Sequence, residues 1–300
     1  MINFIGNRKI SYVASGLLFA VAVFGLIAYG LKPSMDFTGG SVLEVSFTEE
    51  RPAVPEVRSA VESALGNAVV QTSGDVSMIV KTRFLSEEEH QQLLDILRTN
   101  YEQGEQKVLE QRFETIGPSV SAQLKQRSMK AVVVVCIAII IFIAYSFRKV
   151  SKPIASWKYG IIAVIALIHD VTITAGVFAF LGRFMNVEVD IPFVVALLTI
   201  LGYSVNDTIV VFDRVRENLI RRNAEHFDET INFAVNETMA RSINTTLTTL
   251  FPLATLFFFG GETIKYFSLA LWIGIFLGAY SSIFVASPLL VTWNKFASRR

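Results

Sequence analysis

Six long apolar stretches constrain this chain more than any other feature of its sequence. A helix that crosses a bilayer needs about 20 consecutive, mostly apolar residues. Four of the six stretches carry no acidic or basic residue, and six such runs leave too few residues to enclose them in a soluble core. Apolar residues make up 52% of the chain and charged residues 18%, against about 25% charged in soluble domains. The sequence therefore predicts a mainly α membrane protein with six transmembrane helices, at 10–31, 131–147, 159–181, 191–212, 242–261 and 266–294.

Charge and cysteine content exclude several classes of function. The net charge of +1 gives no case for a nucleic-acid binder, which would be strongly basic. The one cysteine, Cys136, excludes an internal disulfide, a cysteine-rich zinc site and an iron–sulfur cluster. No G-x-x-x-x-G-K-[ST] loop for nucleotide phosphates occurs. We therefore expect neither a cofactor nor an enzymatic activity.

The distribution of Lys and Arg predicts the orientation, because cytoplasmic loops carry an excess of both. The short loops on the opposite side carry only Arg183 and Lys265. Both termini are therefore predicted to be cytoplasmic. The first stretch has basic residues before it, as a signal peptide would, but its length and the lack of a clear cleavage site favour a retained anchor. Fourteen basic residues fall on the predicted inner side: Arg8, Lys9, Arg148, Lys149, Lys152, Lys158, Arg214, Arg216, Arg221, Arg222, Arg241, Lys295, Arg299 and Arg300.

The segment 32–127 has the patterning of a soluble domain and holds 15 of the 26 acidic residues. Alternation predicts strands at 41–48, 68–71, 76–84 and 106–116, and helical spacing predicts helices at 54–65 and 86–101. The order β-α-β-β-α-β is that of a ferredoxin-like domain. The predicted organisation is thus an N-terminus and first helix in 1–31, an extracytoplasmic domain in 32–127, and five helices in 128–300. His90 lies in a charged helix and is predicted to be solvated.

Asp207 in the fourth stretch is the first functional candidate, because an ionisable group within a bilayer costs about 2.5–3.5 kcal/mol. Arg241 opens the fifth stretch, and both belong to the inner half, so the two are expected to meet. Arg214 lies seven positions after Asp207 on the same helix face, and Thr245 lies one turn beyond Arg241. Pro252 then allows a kinked or broken helix. The structural alternative is a static Asp–Arg pair that only fixes helix packing.

Two further features lie within the predicted spans. His169 and Asp170 fall near the middle of the third stretch, where a His beside an Asp is suited to relay protons. The alternative for this pair is a hydrogen bond that joins two helices. In the sixth stretch Gly274, Gly278 and Ser282 recur every fourth residue, which predicts close contact with another helix.

Four motifs taken together resemble the SecF branch of the SecD/SecF family, within the resistance–nodulation–division superfamily. The resemblance covers nearly the whole chain, in order and with the same six-span topology. Its motifs are Asp36-Phe37-Thr38-Gly39-Gly40, Gly117-Pro118-Ser119-Val120-Ser121, Gly202-Tyr203-Ser204-Val205-Asn206-Asp207-Thr208 running into Val210-Val211-Phe212-Asp213-Arg214, and Arg241-Ser242-Ile243-Asn244-Thr245-Thr246.

The resemblance implies a subunit of the bacterial inner membrane that uses the proton-motive force, together with SecD, to promote late protein export through SecYEG. It implies SecD, the SecYEG channel, YajC, the translocating preprotein and the lipid bilayer as partners, with no nucleic acid and no cofactor. Asp207 is then the proton-carrying acid and Arg241 its cationic partner, with Asn206, Asp213, Arg214 and Thr245 in the surrounding motifs. His169 and Asp170 lie outside these motifs.

Two other functions stay open from the sequence. One is half of a proton-driven exporter of small solutes or lipids from the same superfamily, although a single small outer domain offers little room for a substrate cleft. The other is a passive scaffold for a channel, in which the acidic residues are only structural. Gly39-Gly40 and Gly117-Pro118 flank the outer domain, and each reads either as a plain turn or as a hinge that transmits movement.

Overall fold

The computed structural model describes residues 1–146, 155–221 and 227–297. Contacts divide the chain into a sheet unit, Pro33–Arg127, and a helical unit formed by Met1–Lys32 and Ser128–Arg300. Several residues used for the predicted spans and orientation lie outside the described residues: Phe147, Arg148, Lys149, Lys152, Arg222, Arg299 and Arg300.

Ten α-helices, one π-helical turn and four strands make up the described residues. In chain order they are α1 (Arg8–Ala28), α2 (Met35–Thr38), β1 (Gly40–Phe47), α3 (Val54–Leu65), β2 (Val69–Ser73), β3 (Ser77–Thr82), α4 (Glu87–Tyr101), β4 (Val108–Ile116), α5 (Pro118–Ser146), α6 (Ser156–Met185), α7 (Ile191–Arg221), α8 (Phe227–Phe259), α9 (Glu262–Ser281), the π turn (Ser282–Ala286) and α10 (Ser287–Ala297).

The sheet unit is one antiparallel sheet with the strand order β2-β3-β1-β4. Strand β1 alternates because Leu43, Val45 and Phe47 enter the core while the residues between them are half-buried. Helices α3 and α4 supply the rest of this core. Helix α4 begins with a capping box, in which Ser86 and Glu89 satisfy each other's backbone N–H groups.

The prediction that His90 is solvated is wrong. His90 is only 5% exposed, and its ring stacks on Phe113 of β4 with 3.6 Å between the ring centroids. The carboxylates of Glu87 and Glu110 lie 3.2 and 3.3 Å from its two ring nitrogens. The prediction failed because it was based on the charged neighbours of His90 in the sequence, whereas the side of α4 that carries His90 faces the sheet.

The helical unit contains six helical segments long and apolar enough to cross a membrane. Five of them are α1, α5, α6, α7 and α8, and the sixth runs from α9 through the π turn into α10. The described structure is therefore mostly helical, with a small antiparallel sheet in the segment between the first and second spans.

Small residues bring these helices together. A Cβ atom added to Gly278 would lie 2.8 Å from the Cβ of Ser204, and one added to Gly274 would lie 2.2 Å from Ile200. Helix α9 therefore approaches α7 more closely than any larger side chain permits. This confirms the helix contact predicted from the small-residue repeat.

Other local predictions are wrong. The fourth and fifth helices are longer than the predicted spans, because α7 continues to Arg221 and α8 begins at Phe227 within the described residues. Helix α8 continues through Pro252 without a break. The interruption lies instead in the last span, at the π turn. Cys136, expected to be buried, is half-buried.

Candidate functional site

Asp207 lies on the interior face of α7 and is 6% exposed. Its carboxylate accepts a short hydrogen bond from the hydroxyl of Ser242 on α8. Thr208, the next residue, is also buried and turns toward the last span. A single acidic side chain is thus held between two membrane helices by a hydroxyl group, which can stabilise the ionised form and also persist when the carboxyl is protonated.

Arg241 does not form the expected direct ion pair with Asp207. Ser242 takes that place, because consecutive residues on a helix point about 100° apart. Arg241 is exposed, and within the described ranges its guanidinium has no carboxylate at ion-pair distance. Arg241 directly precedes the serine that bonds Asp207, so its charge lies on the same turn of α8 as that contact. The structure therefore places a cation beside the acid but leaves the two unpaired.

A cavity of about 460 Å³ opens between α7 and α8, lined by Arg241 and by residues of α7 that follow Asp207, and we call it the charged cavity. Arg214 is held there by Glu237 on α8 at 2.6–2.7 Å and by Glu217 at 2.5 Å. This guanidinium is therefore committed to carboxylates other than Asp207. The residues that line the cavity are Ser146, Ile209, Val210, Asp213, Arg214, Glu217, Glu237, Thr238 and Arg241.

Three further site residues of α7 and α8 are exposed. Asn206 and Asp213 are exposed on α7, and Asp213 lies 3.6 Å from Arg216. Thr245 is exposed on α8, and its hydroxyl bonds the backbone oxygen of Arg241 at 2.9 Å. Much of the threonine-rich half of α8 is therefore exposed in this chain.

Asp170 occupies a second polar centre, and its side chain is fully buried. Ser204 of α7 and Ser281 of α9 donate to its Oδ2 atom at 2.6 and 2.7 Å. The Nδ1 atom of His169 lies 2.9 Å from its Oδ1 atom. We call these four residues the His–Asp cluster. Three donor groups converge on one carboxylate and connect α6, α7 and α9.

The sequence alone did not predict the roles of several residues in these centres. Ser204 and Ser242 lie within the quoted motifs without an assigned role, and Ser281 was not considered. The π turn starts directly after Ser281, and Ser282 bonds Thr208 at 2.9 Å. The signal available was the pair of adjacent serines at 281–282 in the middle of the last span. Throughout the residues with described positions, no group of three His, Cys, Asp or Glu side chains is placed to hold a metal ion.

The glycine motif has a conformational explanation. Ser34 caps α2 by accepting a hydrogen bond from the backbone of Asp36, and Gly39 ends that helix with a φ of 73°. Gly40 has a φ of 135° and begins β1, where an added Cβ would lie 2.7 Å from the backbone oxygen of Thr82. Both positions therefore favour glycine whether or not they move. Phe37 and Thr38 complete the short helix α2.

The second glycine motif lies against the first. Residue Gly117 accepts backbone hydrogen bonds from Val120 and Ser121, so it caps α5, and Pro118 is the first residue of that helix. A Cβ atom on Gly39 would lie 3.6 Å from the Cα of Pro118. The two chain segments that flank the strands of the sheet unit thus run side by side, because β1 and β4 are neighbours.

Comparison with known proteins decides the family. Residues 96–296 match the family described as protein export membrane protein SecD/SecF, C-terminal, and residues 24–50 match the SecD/SecF GG motif. The chain belongs to the SecD/SecF family. Within that family it is 42% identical to the protein translocase subunit SecF of Thermobaculum terrenum, over 98% of this chain and 95% of the relative.

The similarity extends to longer members of the SecD/SecF family. The chain is 34% identical to the protein translocase subunit SecDF of Thermus thermophilus, over 98% of this chain and 38% of that protein. The crystal structure of SecDF, a translocon-associated membrane protein from Thermus thermophilus, matches with a TM-score of 0.82 at 35% identity. That match covers 98% of this chain and 39% of the SecDF chain. This chain therefore has a SecDF-like fold and spans about two fifths of the length of SecDF.

Proposed function

We propose that this chain is the SecF subunit of the bacterial Sec export machinery and that it draws on the proton-motive force to promote late protein translocation. Its similarity to SecF relatives over nearly the whole chain supports the translocase role. The observation that carries the proton-driven part is the buried carboxylate of Asp207, held by the hydroxyl of Ser242 on α8.

The energy source follows from physical chemistry. One proton that moves down the membrane potential releases about 2.3 kcal/mol per 100 mV. Asp207 is the group suited to carry this proton. Its buried carboxylate loses its negative charge when the proton binds. The chain has no phosphate-binding loop for a nucleotide, so we propose a coupling role without catalysis of its own.

Arg241 responds to the charge of Asp207 in this mechanism. While Asp207 is ionised, the unpaired guanidinium of Arg241, which lines the charged cavity, is attracted to it. When Asp207 binds a proton, that attraction disappears and α8 is free to shift against α7. Arg214 keeps its pairs with Glu217 and Glu237 throughout, so it anchors the ends of the two helices.

SecD is the proposed direct partner, and the exposed face of α7 and α8 is where we place it. Asn206, Asp213, Arg241 and Thr245 are exposed there, although polar groups that face lipid are costly. The SecDF relative has the length to cover this face, since this chain matches only 38% of it. SecYEG, the preprotein and YajC complete the proposed set of partners.

A recovery experiment tests the partner assignment. Tagged chain purified in mild detergent should retain SecD, and Thr245→Trp should reduce the recovery about tenfold or more, because a large side chain in a close interface is not accommodated. Ile10→Trp is the matched control, since Ile10 is 71% exposed on α1, away from α7 and α8. Equal recovery of SecD with both variants would contradict the proposed face.

We also propose that the sheet unit is a ferredoxin-like domain outside the cytoplasm and that both termini are cytoplasmic. The antiparallel order β2-β3-β1-β4 with two helices supports the first point, and the Lys/Arg distribution supports the second. With Cys136 replaced by Ala, a Ser86→Cys variant should react with an impermeant thiol reagent from outside the cell. An Ile220→Cys variant should react only after the membrane is permeabilised, and the reverse pattern would overturn the orientation.

The function itself is tested by complementation. Cells depleted of their own SecF should regain late-stage export when this chain is expressed with a matching SecD. The gain should disappear when an uncoupler removes the proton gradient. A gain that persists at full size with the uncoupler would contradict proton coupling and favour the passive scaffold.

A further inference from the structure

The His–Asp cluster is built differently from the site around Asp207. The carboxylate of Asp170 is fully buried and has three donors, whereas Asp207 has one hydroxyl partner among the described residues. The ring of His169 lies between the rings of Phe19 on α1 and Tyr280 on α9, with centroid distances of 6.2 and 6.5 Å. The cluster therefore fixes both the position and the orientation of one imidazole.

The hydrogen bond to Asp170 determines where a proton can be added. Because the Nδ1 atom of His169 faces the carboxylate at 2.9 Å, a neutral ring carries its hydrogen on Nδ1 and its lone pair on Nε2. The Nε2 atom is buried and has no hydrogen-bond partner among the residues that the structure describes. Nε2 is therefore the ring atom to which a proton can be added, and the N–H formed there needs an acceptor such as water, because a buried donor without a partner costs free energy as well.

Charge balance favours the protonated state. An ionised Asp170 beside a neutral His169 leaves one net negative charge inside the membrane, which is costly. A proton on Nε2 turns the pair into a neutral one, in which the serine hydroxyls still stabilise the carboxylate.

We infer that His169 and Asp170 form a second proton-binding site, which takes up and releases one proton as a unit. The proton comes from water, forms an N–H bond at Nε2 and leaves by the same bond, with no electron transferred. Asp170 is a positioning residue that holds the tautomer and balances the charge. The inference rests on the proposed function only in assigning this proton to the export cycle.

A cavity of about 310 Å³ lies beside His169 along α1, and we take it as the route by which water reaches the site. Tyr12, Ser15 and His169 provide polar groups in its otherwise apolar lining, enough for an ordered water to find partners. Tyr12 bonds Thr292 at 2.7 Å, and Ser15 bonds Tyr280 at 2.9 Å. Of the described titratable side chains, Tyr12 on α1, Tyr280 on α9 and Asp170 face His169. The groups contributed by α7, the π turn and α10 are Ser204, Val285 and Leu289.

Helix α7 connects this site to Asp207. Ser204 bonds Asp170, and Asp207 follows three positions later on α7, so the two side chains are neighbours on one helix face, about 5–6 Å apart at Cβ. The charge on one centre therefore acts on the other across a single helical turn. The arrangement gives the chain two proton-binding centres along α7, one at its contact with α6 and α9 and the other at its contact with α8.

Nitrogen spectroscopy of histidine tests this site independently of export. The full-length chain carries three histidines, and ¹⁵N-histidine labelling in lipid vesicles, with His90→Gln and His226→Gln for assignment, isolates the signals of His169. The expected spectrum shows one protonated nitrogen, Nδ1, at about pH 9 and two at about pH 5. In Asp170→Asn the doubly protonated signal at about pH 6 should fall about tenfold or more, because the opposite charge is gone.

Thr174→Val provides the matched control, since Thr174 is buried on the same helix and bonds only the backbone oxygen of Asp170. Its spectra should equal those of the unaltered chain. The inference is overturned if His169 of the unaltered chain keeps a single protonated nitrogen over the whole pH range. This outcome requires no variant. Equal titration in Asp170→Asn and the unaltered chain overturns the role of Asp170. The spectra do not depend on export. They therefore test the proton site even if the proposed export function is contradicted.

Discussion

The hydroxyl of Ser242 on α8 bonds the carboxylate of Asp207 on α7, within the interior of the helical unit. This bond joins the acid to the helix whose preceding residue, Arg241, carries an unpaired guanidinium at the charged cavity. Any change in the charge of Asp207 therefore acts on two consecutive residues of α8. The coupling between proton binding and helix movement begins at this contact.

Ser242→Ala should leave the chain inserted but weaken proton-driven export. Removing one hydrogen bond costs about 1 kcal/mol, which corresponds to about a fivefold loss in rate if the bond is needed during the cycle. Because the bond acts on a titrating group, the dependence of export on external pH should change as well. Ser268→Ala is the matched control, since Ser268 is equally buried but bonds only the backbone of its own helix. An unchanged pH profile for Ser242→Ala would remove this bond from the mechanism.

Gly278→Ala should destabilise the helical unit. The added Cβ would lie 2.8–2.9 Å from the Cβ and Cα of Ser204, and such overpacking costs about 1–3 kcal/mol. Gly202→Ala is the control, because a Cβ there meets nothing within 4 Å, and alanine gains up to about 1 kcal/mol over glycine in a helix. Thermal unfolding in detergent should place Gly278→Ala below the unaltered chain and Gly202→Ala at or above it. The opposite order would contradict the close contact of α7 and α9.

The first turn of α4 should lose protection in acid. The hydrogen bond from Arg83, together with the backbone N–H of Ser86, lowers the pKa of Glu89. A carboxylate with a lowered pKa stabilises the folded form above its unfolded pKa of about 4.3, and that contribution is lost as the pH falls through the folded value. Hydrogen-exchange protection factors in this turn should therefore fall below about pH 4.

Glu89→Gln should reduce this acid dependence. It should not abolish it, because hydrogen bonds also lower the pKa values of Glu87 and Glu88. Glu62→Gln, a change on α3 away from the capping box, should leave the dependence of α4 as it was. If the protection of α4 in Glu89→Gln depends on pH as strongly as in the unaltered chain, the Arg83–Glu89 contact has no such role.

The elements with chemical signals at their ends were predictable from the sequence. Helix α3 has the predicted bounds because Pro55 lies in its first turn and Gly66 ends it with a φ of 83°. The start of α4 followed from its capping box. These signals act between neighbouring residues, so they do not depend on tertiary contacts.

The partners of the buried acids were not predictable in the same way. Arg241 and Ser242 are adjacent, and only the rotation of α8 against α7 decides which one reaches Asp207. That rotation is set by contacts distant in sequence. Asp170 is a further case. Its neighbour His169 is on the same helix, but its other two donors, Ser204 and Ser281, come from α7 and α9. His90 shows the same limit in the sheet unit, since the burial of its ring depends on Phe113 of β4.

Neutralising Asp207 is the most direct test of proton coupling. Asp207→Asn keeps the shape of the side chain and removes its titratable proton, so the protein should insert and retain SecD while losing the export gain that the proton-motive force provides. Asp95→Asn, the same change at an exposed position of α4, is the control and should behave as the unaltered chain. The measurement is the rate of late-stage export over a graded series of proton-motive force. We predict a rate that rises with the force in the unaltered chain and stays flat in Asp207→Asn; equal slopes for the two would contradict the account.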